Sequence, residues 1–458
     1  LDPTESGAGD FLPLNTLGLE NASPPFTGTG DPITPEQLFV AGDVRSNEQP
    51  GLTSMHTLFV MEHNFQAQRL AEELGLSDED LSDAYVDEHL YQVARAIVGA
   101  EVQSITYNEF IPALFGPEQL ESYRGYQEDV NASIANIFSA SLYRVGHTML
   151  PNELLLLGED GLPVEDFDAL GATVRGGKVS LGEAFFNPVL VTTMGIEPYL
   201  KGLAVQQIQE VDNFIVEGVR SLLFDPPAAV DLGATNLQRG RDHGIADYNQ
   251  VRENFGLPRV DGFDDITSDA ELAGKLALAY DGNFDNIDVF AAAISEDPVA
   301  GGSVGKLLQT VLLEQFSRSR DGDRFYYENV FGGHKLNEIE NTRLADIIRR
   351  NTSLQNIQDE VFRSDRVFTY RTDAGQGSAN LTLRVSEGEL QVVNHRQRVL
   401  ASQSIADTEI VVLFGTDRRD KIRIDSSVAT QFEGSVEIHG GARRDTLIVE
   451  GTAGDDTI

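Results

Sequence analysis

The sequence predicts a mainly helical body followed by a smaller β-rich region. Apolar residues follow helical spacing over residues 52–74 and again from Ser77 to about Tyr107. Few segments before residue 365 alternate between polar and apolar residues. After Ser364, alternating and β-branched runs are separated by Gly and Asp turns, which is typical of strands. We therefore predict a helical domain over residues 1–365 and a β-rich tail over residues 366–458.

Several elements have local signals of their own. Residues 34–37 form a capping-box pattern with Pro35 at the first helical position, which predicts a helix start. The acidic run 77–80 predicts another helix start, because carboxylates are favourable at the positive end of a helix dipole. Further helices are predicted near residues 132–149, 204–223, 269–280, 303–316 and 335–350. The predicted tail strands are residues 367–370, 381–385, 390–393, 410–414 and 421–424.

Composition limits the classes of function. The 458 residues include 34 Lys and Arg against 73 Asp and Glu, which gives a formal net charge of −39. This excess argues against nucleic acid or an anionic membrane surface as a partner, because both would be repelled. The absence of Cys excludes disulfides, thiolate metal sites and a Cys nucleophile. The sequence has no run of 18 apolar residues, so no membrane span is predicted.

His147 is the histidine best placed to bind a ligand. It lies in an apolar segment predicted to be helical, and Gly146 removes side-chain bulk directly before the imidazole. Arg144 lies three residues earlier on nearly the same helix face, where it could pair with an acidic group of a ligand. The alternative is a neutral, hydrogen-bonded core histidine, and these residues alone leave that alternative open.

Other polar residues have structural explanations. The cluster at residues 236–244 contains Asn236, Arg239 and His243; taken alone, it is better explained as a capped helix start with surface salt bridges. His56 and His63 share a helix face two turns apart. Neither has an acidic partner at the spacing of a zinc protease, so both are predicted to be structural. The sequence also has no HExxH or Walker motif.

The tail contains a weak repeat in which a Gly turn leads to Asp and then to an aliphatic residue. Its three copies begin at Gly415, Gly440 and Gly451. They resemble degenerate copies of the nonapeptide calcium repeat of secreted bacterial proteins, in which carbonyl and Asp oxygens surround the ion. Arg443 stands where the repeat has Gly. Calcium binding and a plain β-rich tail with Gly-Asp turns therefore both stay open.

Taken together, these segments resemble the animal-type haem peroxidases, the superfamily of myeloperoxidase, lactoperoxidase and peroxidasin, in its bacterial peroxidasin-like branch. The resemblance covers roughly residues 8–365, and it is specific because many blocks occur in the same order. The matching blocks are FVAGDVRSNE (39–48), LTSMHTL (52–58), EHN (62–64), IVGA through ITY (97–107), YRVGHT (143–148), NLQR through DHG (236–244), NID (286–288) and RDGDRF (320–325).

The resemblance implies a site for haem b. His147 matches the proximal histidine, which is the axial ligand of the haem iron. Asn236 matches the asparagine that accepts the N–H of this imidazole, a bond that raises the basicity of the ligand. Arg45 matches the distal arginine, a fixed cation that stabilises charge on the departing peroxide oxygen.

Three more residues are implied to contact the haem. Glu48 matches the glutamate that can form an ester with a haem methyl group. Gln49 stands where myeloperoxidase has the methionine of an additional sulfonium link, so that link is not expected. Arg144 and Arg239 match arginines near the haem, and Arg239 is implied to bind a propionate.

One part of the family pattern has no match. The distal histidine, its neighbouring glutamine and an ester-forming aspartate stand in a Trp-Gly-Gln…Asp-His-Asp segment upstream of the first matching block. This chain has no Trp and no such segment, and the upstream calcium loop of the family is also without a match. Because the distal base moves the peroxide proton, we expect the chain to be a fragment of a longer enzyme, or to need another chain that supplies the segment.

The resemblance implies a peroxidase that uses hydrogen peroxide to oxidise small reducing donors, such as phenols, halides or thiocyanate. It also implies, together with the tail, secretion from a bacterial cell. One alternative is a noncatalytic adhesion or matrix protein that keeps the fold. Another is a fatty-acid dioxygenase, whose radical Tyr stands three residues before the proximal His. Here Arg144 has that position and Tyr143 is four residues before, which favours a peroxidase.

Overall fold

The computed structural model describes residues 12–16, 19, 33–116, 120–222, 231–364, 366–372, 377–416, 418–441 and 443–451. Helices form most of the described chain up to residue 351, and strands dominate from residue 367 onward. The predicted mainly helical fold with a β-rich C-terminal region is therefore confirmed. Within the described ranges, no helix combines the length and the apolar character needed to cross a membrane.

Most helices of the body are short. The α-helices of the described residues are α1 (Pro50–Leu74), α2 (Asp78–Leu81), α3 (Ala84–Ile105), α4 (Ile111–Phe115), α5 (Asn136–Ala140), α6 (Leu181–Ala184), α7 (Val189–Met194), α8 (Glu197–Val205), α9 (Leu232–Asp242), α10 (Tyr248–Asn254), α11 (Ala270–Ala279), α12 (Val289–Ala293), α13 (Lys306–Asp321), α14 (Tyr327–Val330), α15 (Gly333–Asn341), α16 (Leu344–Asn351) and α17 (Ser426–Gln431). The 3₁₀-helices are Pro35–Gln37, Val44–Asn47, Leu142–Thr148, Phe263–Asp265, Phe284–Asn286 and Ile405–Asp407, and π-helical turns occupy Thr106–Phe110 and Gly218–Leu222.

The strands fall into two groups. Four short strands form two-stranded antiparallel pairs in the body, and the others form the tail. In chain order the strands are β1 (Glu153–Leu155), β2 (Phe167–Ala169), β3 (Ala172–Val174), β4 (Lys178–Ser180), β5 (Val367–Arg371), β6 (Asn380–Ser386), β7 (Glu389–Asn394), β8 (Val399–Ser404), β9 (Ile410–Phe414), β10 (Lys421–Ile424), β11 (Ser435–His439) and β12 (Thr446–Val449).

Three of the predicted helices are wrong in extent. The helix predicted at 335–350 is interrupted at Thr342 and Arg343, whose backbone is extended. The helix predicted at 204–223 ends at Val205, and Asp212 accepts a hydrogen bond from the backbone N–H of Phe214, which stabilises a turn instead. The helix predicted at 132–149 is divided at Ser141, whose φ of −136° and ψ of −81° are not helical. The part that carries His147 is consequently a 3₁₀-helix rather than an α-helix.

Helices α3 and α4 form one long helix that is interrupted by a π-helical turn. Pro112 lies just after this turn and has no N–H to donate to the preceding turn, so the regular α-helical pattern cannot continue through it. The turn places Glu109 in the interior, where Oε1 accepts a hydrogen bond from the N–H of Leu344 at the start of α16. Its Oε2 is buried without a partner among the described residues.

Two apolar clusters form the core of the helical body. One contains residues of α1, α7, α8 and α16, such as Leu58 and Ile347, and the other contains residues of α4 and α10–α13, such as Leu307. The 3₁₀-helix 142–148 connects them, because Val145 belongs to the second cluster and nearby Leu150 packs against the first. The segment that carries His147 is thus held from both sides.

The tail is built from parallel strand pairs. One sheet has the order β11-β9-β5 and the other the order β12-β10-β6-β7-β8, with an antiparallel meander at its β6-β7-β8 edge. Ile410 pairs with Ser435 and Lys421 pairs with Thr446, so both pairings have an offset of 25 residues. Side chains of both sheets form a single apolar cluster.

The Gly and Asp turns between the sheets form a hydrogen-bond ladder. The Asp420 carboxylate accepts bonds from the N–H groups of Ala379 and Thr416, and the Asp445 carboxylate accepts one from the N–H of Asp420. A side chain at Gly415 or Gly440 would collide with the carboxylate of its own turn. The first two repeat copies therefore stack in register; the third lies mainly outside the described residues.

Buried charges connect the tail to the helical body. Arg371 of β5 has its Nε 3.7 Å from Oε1 of Glu360, and Nε of Arg343 is 4.0 Å from the same oxygen. Arg371 also lies over the ring of Phe414, 3.8 Å from its centroid. Charged side chains therefore connect the last helices to the first strand of the tail, on either side of residue 365. The domain division at this residue stays a prediction.

Glu109→Gln tests the buried charge of the π-helical turn. Burial, followed by repulsion from Glu360, raises the pKa of Glu109 to about 8 from its ordinary 4.5. Between these two values the folded state holds a proton that the unfolded state has lost, so stability falls as the pH rises through this window. We expect the free energy of unfolding of the wild type to fall by roughly 3 to 4 kcal/mol more than that of the variant between pH 5 and pH 8.

The measurement is urea unfolding at both pH values. Glu72→Gln, at an exposed position of α1, is the control and should behave like the wild type. Equal pH dependence of the wild type and Glu109→Gln would contradict the predicted burial of a protonated carboxyl group.

Candidate functional site

The 3₁₀ geometry of residues 142–148 aligns two of the predicted site residues. Side chains three residues apart are eclipsed in a 3₁₀-helix, so Arg144 and His147 lie one above the other on the same line. The sequence pattern placed them on nearly the same α-helical face. The tighter helix brings the guanidinium and the imidazole into closer alignment than that pattern implied.

Asn236 joins α9 to this segment. It is fully buried, and both atoms of its amide lie near Nδ1 of His147: Oδ1 at 3.2 Å and Nδ2 at 2.9 Å. Nη1 of Arg144 also approaches Oδ1 of Asn236, at 3.4 Å. Which amide atom faces the ring depends on the protonation of the imidazole. If Nδ1 carries the proton, it donates to Oδ1 of Asn236, and the lone pair of Nε2 is free for a metal ion.

The surroundings of His147 favour its neutral form. Burial lowers the pKa of the imidazole, the hydrogen bond with Asn236 opposes this, and the charge of Arg144 lowers the pKa further. Within the described residues Nε2 makes no hydrogen bond. Since a histidine must be neutral to bind a metal ion, the ring is prepared for coordination through Nε2.

Arg144 and Arg239 have no acidic partner within the described part of the chain. Burial lowers the pKa of Arg144, and the nearby charge of Arg239 lowers it further, which shows that the two cations repel each other. Nε of Arg144 donates to the carbonyl of Ala140. Among the described residues neither guanidinium forms a salt bridge with a carboxylate. In a chain with a net charge of −39, two neighbouring unpaired arginines indicate a place for an anionic ligand group.

Arg45 and Glu48 lie on a different element. Arg45 is in the 3₁₀-helix 44–47 and Glu48 directly follows it, and among the described residues neither side chain contacts the His147 group. Arg45 is 72% exposed and pairs with Asp43, with Nη2 2.6 Å from Oδ2. The side chain of Glu48 is partly buried, and burial raises its pKa.

Backbone bonds connect the two parts of the site. The carbonyl of Glu48 accepts a hydrogen bond of 2.7 Å from the N–H of Phe186, just after α6. At the other end of α6, the carbonyl of Asn152 accepts one from the N–H of Leu181, while Oδ1 of Asn152 accepts one from Gly218. The chain around α6 therefore links the turn of Arg45 to the region of α9.

The sequence alone did not reveal the contacts that fix α9. His243 at its C-terminal end pairs with Asn136 of α5: Nδ1 lies 2.8 Å from Oδ1, and the amide donates to the His243 carbonyl. Arg241 forms two hydrogen bonds with the carboxylate of Asp288. Nothing in the spacing of Asn136 or Asp288 marked them as partners. The salt-bridge explanation of residues 236–244 is thus correct for Arg241, while Asn236 points inward.

The other histidines that were considered lie apart from this group. Nε2 of His63 lies 3.1 Å from the carbonyl of Tyr91. Burial lowers the pKa of His56, which stands on α1. The described residues contain no group of three or more His, Cys, Asp or Glu side chains that could hold a metal ion.

Comparison with known proteins identifies the family of the chain. The animal haem peroxidase family model matches residues 4–362. The chain belongs to the animal haem peroxidase family. Peroxinectin A of Dictyostelium discoideum is 33% identical over 363 residues, which is 79% of this chain and 63% of that protein. The chain therefore spans less than two thirds of the length of this relative.

Solved structures show the same fold. Peroxidase A of Dictyostelium discoideum superposes with a TM-score of 0.66 at 30% identity, over 77% of this chain and 64% of that one. A fatty acid alpha-dioxygenase of Arabidopsis thaliana gives a TM-score of 0.57 at 19% identity, covering 77% of this chain and 62% of its own. The latter likeness shows the fold alone.

The residues of the site fit a haem. His147 offers an Nε2 without a hydrogen bond among the described residues. Gly146 is exposed, and a Cβ there would have no atom within 4 Å, so the residue before His147 adds no bulk to the surface. Arg239, which forms no salt bridge with a carboxylate among the described residues, suits a propionate, and Arg144 lies near it. An axial nitrogen, space for a flat ring and cations for its carboxylates are the three requirements of a haem site.

Asn236→Leu tests the bond between α9 and His147. The leucine occupies a similar volume but leaves Nδ1 without an acceptor, and loss of such a partner lowers metal affinity by about 10–100-fold. We expect a weakening of haem binding in this range, measured by optical titration of the purified chain with haemin.

Gln238→Leu is the matched control, because it changes an exposed side chain of the same helix that bonds to Asp242. Wild-type haem affinity in Asn236→Leu would show that the pair does not position the imidazole.

Proposed function

We propose that this chain is a haem-dependent peroxidase domain that uses hydrogen peroxide to oxidise small donors. The observation that supports it best is that His147 is bonded to the buried Asn236 and lies near Arg144 and Arg239, neither of which forms a salt bridge with a carboxylate of the described residues. Family membership supports peroxidase-type chemistry in general. The donors, which we propose to be phenols, halides or thiocyanate, go beyond that support.

Each residue on the proximal side has a distinct task in this proposal. His147 would hold the iron through Nε2, and Oδ1 of Asn236 would accept a hydrogen bond from Nδ1–H and fix the plane of the imidazole. Arg144 donates to the same amide oxygen, so it keeps that amide in the orientation in which the oxygen faces the imidazole. Arg239 binds a propionate. Bound haem supplies the iron at which peroxide is reduced to water while donors lose electrons.

Arg45 and Glu48 serve the opposite side in this proposal. Two nitrogens of Arg45 bond to Asp43, whereas Nη1 makes no hydrogen bond within the described residues. The pairing with Asp43 therefore fixes the guanidinium and leaves a donor for a peroxide oxygen, where a positive charge lowers the barrier to O–O cleavage. The partly buried carboxyl of Glu48 is proposed to form the ester with haem.

His147→Ala tests the proposed function. The purified chain is reconstituted with haemin, and its optical spectrum and the peroxide-dependent oxidation of a phenolic dye are recorded. We expect the variant to lose the histidine-ligated spectrum and at least 100-fold of any turnover, because it lacks the axial ligand. His89→Ala, which removes an exposed histidine of α3, is the control.

The outcomes separate the candidate functions. If haem binds through His147 but peroxide turnover is absent both here and in a longer chain that includes an upstream segment, a noncatalytic role is favoured. Oxygen uptake with an unsaturated fatty acid would favour a dioxygenase. Haem binding that is indifferent to His147→Ala would overturn the assignment of the axial ligand. We propose an extracellular location on the basis of the family and tail resemblances.

Calcium binding by the tail is a separate question. In the two described turns the carboxylates of Asp420 and Asp445 already accept backbone N–H bonds, which supports hydrogen-bonded turns rather than an oxygen cage. We expect calcium to shift the melting temperature of the chain no more than magnesium does. We also expect EGTA to leave the melting temperature unchanged. Saturable calcium binding by calorimetry that Asp420→Asn abolishes would contradict this and restore the calcium prediction.

A further inference from the structure

The tail carries far less net charge than the helical body. Residues 366–458 contain 11 Lys and Arg against 14 Asp and Glu, whereas residues 1–365 contain 23 against 59. The net charge of the tail is therefore −3 and that of the body is −36. The acidic composition of the whole chain thus describes the body. The tail can attract an anionic partner wherever its own cations are exposed.

Three turns of the tail lie at the same end of its five-stranded sheet. Strand β10 is parallel to β6 and to β12, so the turns 415–420 and 440–445, which precede β10 and β12, lie at the end where β6 begins. Strand β7 is antiparallel to β6, and Asn394 at its end pairs with Leu381 near the start of β6. The turn 394–398 between β7 and β8 therefore lies at this end as well.

These turns carry six exposed arginines. Strands β10 and β12 pair with an offset of 25 residues, and the same offset relates the Arg-Arg pairs of their turns. Because paired strands lie about 4.8 Å apart, one Arg-Arg pair lies beside the other. Two further arginines stand in the β7–β8 turn, three strand spacings from β12, or about 15 Å. The six residues, which we call the arginine row, are Arg396, Arg398, Arg418, Arg419, Arg443 and Arg444.

The arginine row has no acidic partner in the described part of the chain. Among the described residues, none of its guanidinium groups forms a salt bridge or donates a side-chain hydrogen bond. Cations toward the opposite end of the tail are paired: Arg366 bonds to Glu409, with Nη2 2.9 Å from Oε1. Arg423 likewise pairs with Glu450. The row is thus the place where the tail holds positive charge that its described carboxylates leave unpaired.

Few carboxylates lie among these arginines. Asp420 and Asp445 are the acids that the structure describes in the three turns, and both accept backbone N–H bonds. Asp420 is also buried. The nearby Asp373 and Asp417 lie outside the described residues. Six described arginines against two described carboxylates make this end of the sheet positive.

A row of arginines suits a thin, linear polyanion. The planar guanidinium group can bind two oxygens of one carboxylate or similar oxyanion at once. The turns contain no Phe, Tyr or Trp on which the bases of a single nucleic-acid strand could stack. A DNA duplex or an anionic bilayer extends well beyond a row of about 15 Å, so the body, with its charge of −36, would repel it. A sugar chain avoids this repulsion, because it can contact the row alone.

We propose that the arginine row binds a linear polysaccharide that carries carboxylate or sulfate groups on consecutive sugars. The anionic groups pair with the guanidinium groups of neighbouring turns, and the sugar chain lies along the end of the five-stranded sheet. This interaction surface belongs to the tail and does not involve the haem site. The proposal therefore goes beyond the proposed function and does not depend on it.

Direct titration of the full chain tests the proposal. Fluorescein-labelled octasaccharides of alginate, which carry carboxylates, and of dextran sulfate are titrated with the chain and followed by fluorescence anisotropy. Neutral dextran octasaccharide is the control. We expect at least one anionic octasaccharide to bind, and to bind roughly tenfold more weakly when NaCl is raised from about 0.05 M to about 0.5 M, because salt screens exposed charges. The octasaccharide that binds identifies the anionic group.

Competing partners are measured under the same conditions. They are a single-stranded DNA oligonucleotide and vesicles of phosphatidylglycerol. Binding of neither anionic octasaccharide, or equal binding of neutral dextran, overturns the proposal. Tighter binding of the DNA or of the vesicles than of both octasaccharides also overturns it, and would assign the row to that partner.

Variants of the row identify the location. Four charges are removed from the stacked turns by the combined substitutions Arg418→Gln, Arg419→Gln, Arg443→Gln and Arg444→Gln. We expect this variant to bind the octasaccharide roughly tenfold or more weakly, because it loses most of the paired cations. The matched control removes four exposed cations from the body by Arg95→Gln, Arg124→Gln, Arg220→Gln and Lys275→Gln. It has the same net charge and should bind like the wild type.

A second variant tests the other end of the row. Arg396→Gln combined with Arg398→Gln should weaken binding roughly threefold or more, and Arg124→Gln combined with Arg220→Gln is its control. Circular dichroism and the melting temperature are recorded for each variant. Unchanged affinity in both row variants, with circular dichroism like the wild type, overturns the proposal. If the fourfold variant does not fold, the double variant decides.

Failure of this surface can be told apart from failure of the proposed function. The His147→Ala chain should bind the octasaccharide as tightly as the wild type, since the row does not involve haem. The row variants should in turn keep the haem affinity of the wild type. A chain that binds haem but no anionic octasaccharide overturns the polysaccharide site while the peroxidase function stands.

Discussion

The site depends on the contact between His147 and Asn236. The two residues are 89 positions apart, and the contact joins a short 3₁₀-helix to α9. A free 3₁₀-helix of seven residues would not hold a side chain in one place. The buried amide of Asn236 does so, because it fixes the ring through Nδ1 and leaves Nε2 without a hydrogen bond among the described residues. The orientation of the imidazole is thus set by a helix distant in sequence.

The contact between His147 and Asn236 therefore requires that α9 is held in a fixed position. Asp231 caps its N-terminal end by accepting a bond from the N–H of Ala234. Near its C-terminal end, His243 pairs with Asn136 and Arg241 pairs with Asp288. These contacts involve α5 and the segment before α12, which both belong to the same apolar cluster as Val145. The elements that hold α9 also hold the 3₁₀-helix, so the two sides of the contact move little relative to each other.

The distribution of charged side chains near His147 differs from the acidic composition of the whole chain. The chain is strongly acidic overall, yet the His147 group has two cations without acidic partners among the described residues. Buried carboxylates are instead concentrated elsewhere: Glu62 and Glu101 bond to Arg350, and Glu360 lies between Arg343 and Arg371. Because the acids are engaged in these networks, the positive charge near His147 stays available to an anionic ligand.

The sequence by itself determined the helical body, five of the tail strands and, through its ordered motifs, the family and the pairing of His147 with Asn236. The periodicity of apolar residues, the helix-capping residues and the order of the motifs are local properties, so the sequence alone shows them. Only the tertiary structure decided that His147 lies on a 3₁₀-helix, that 206–216 is not helical, and that Asn136, Asp288 and Ser141 surround α9. These features depend on contacts between residues far apart in sequence, which no local pattern records.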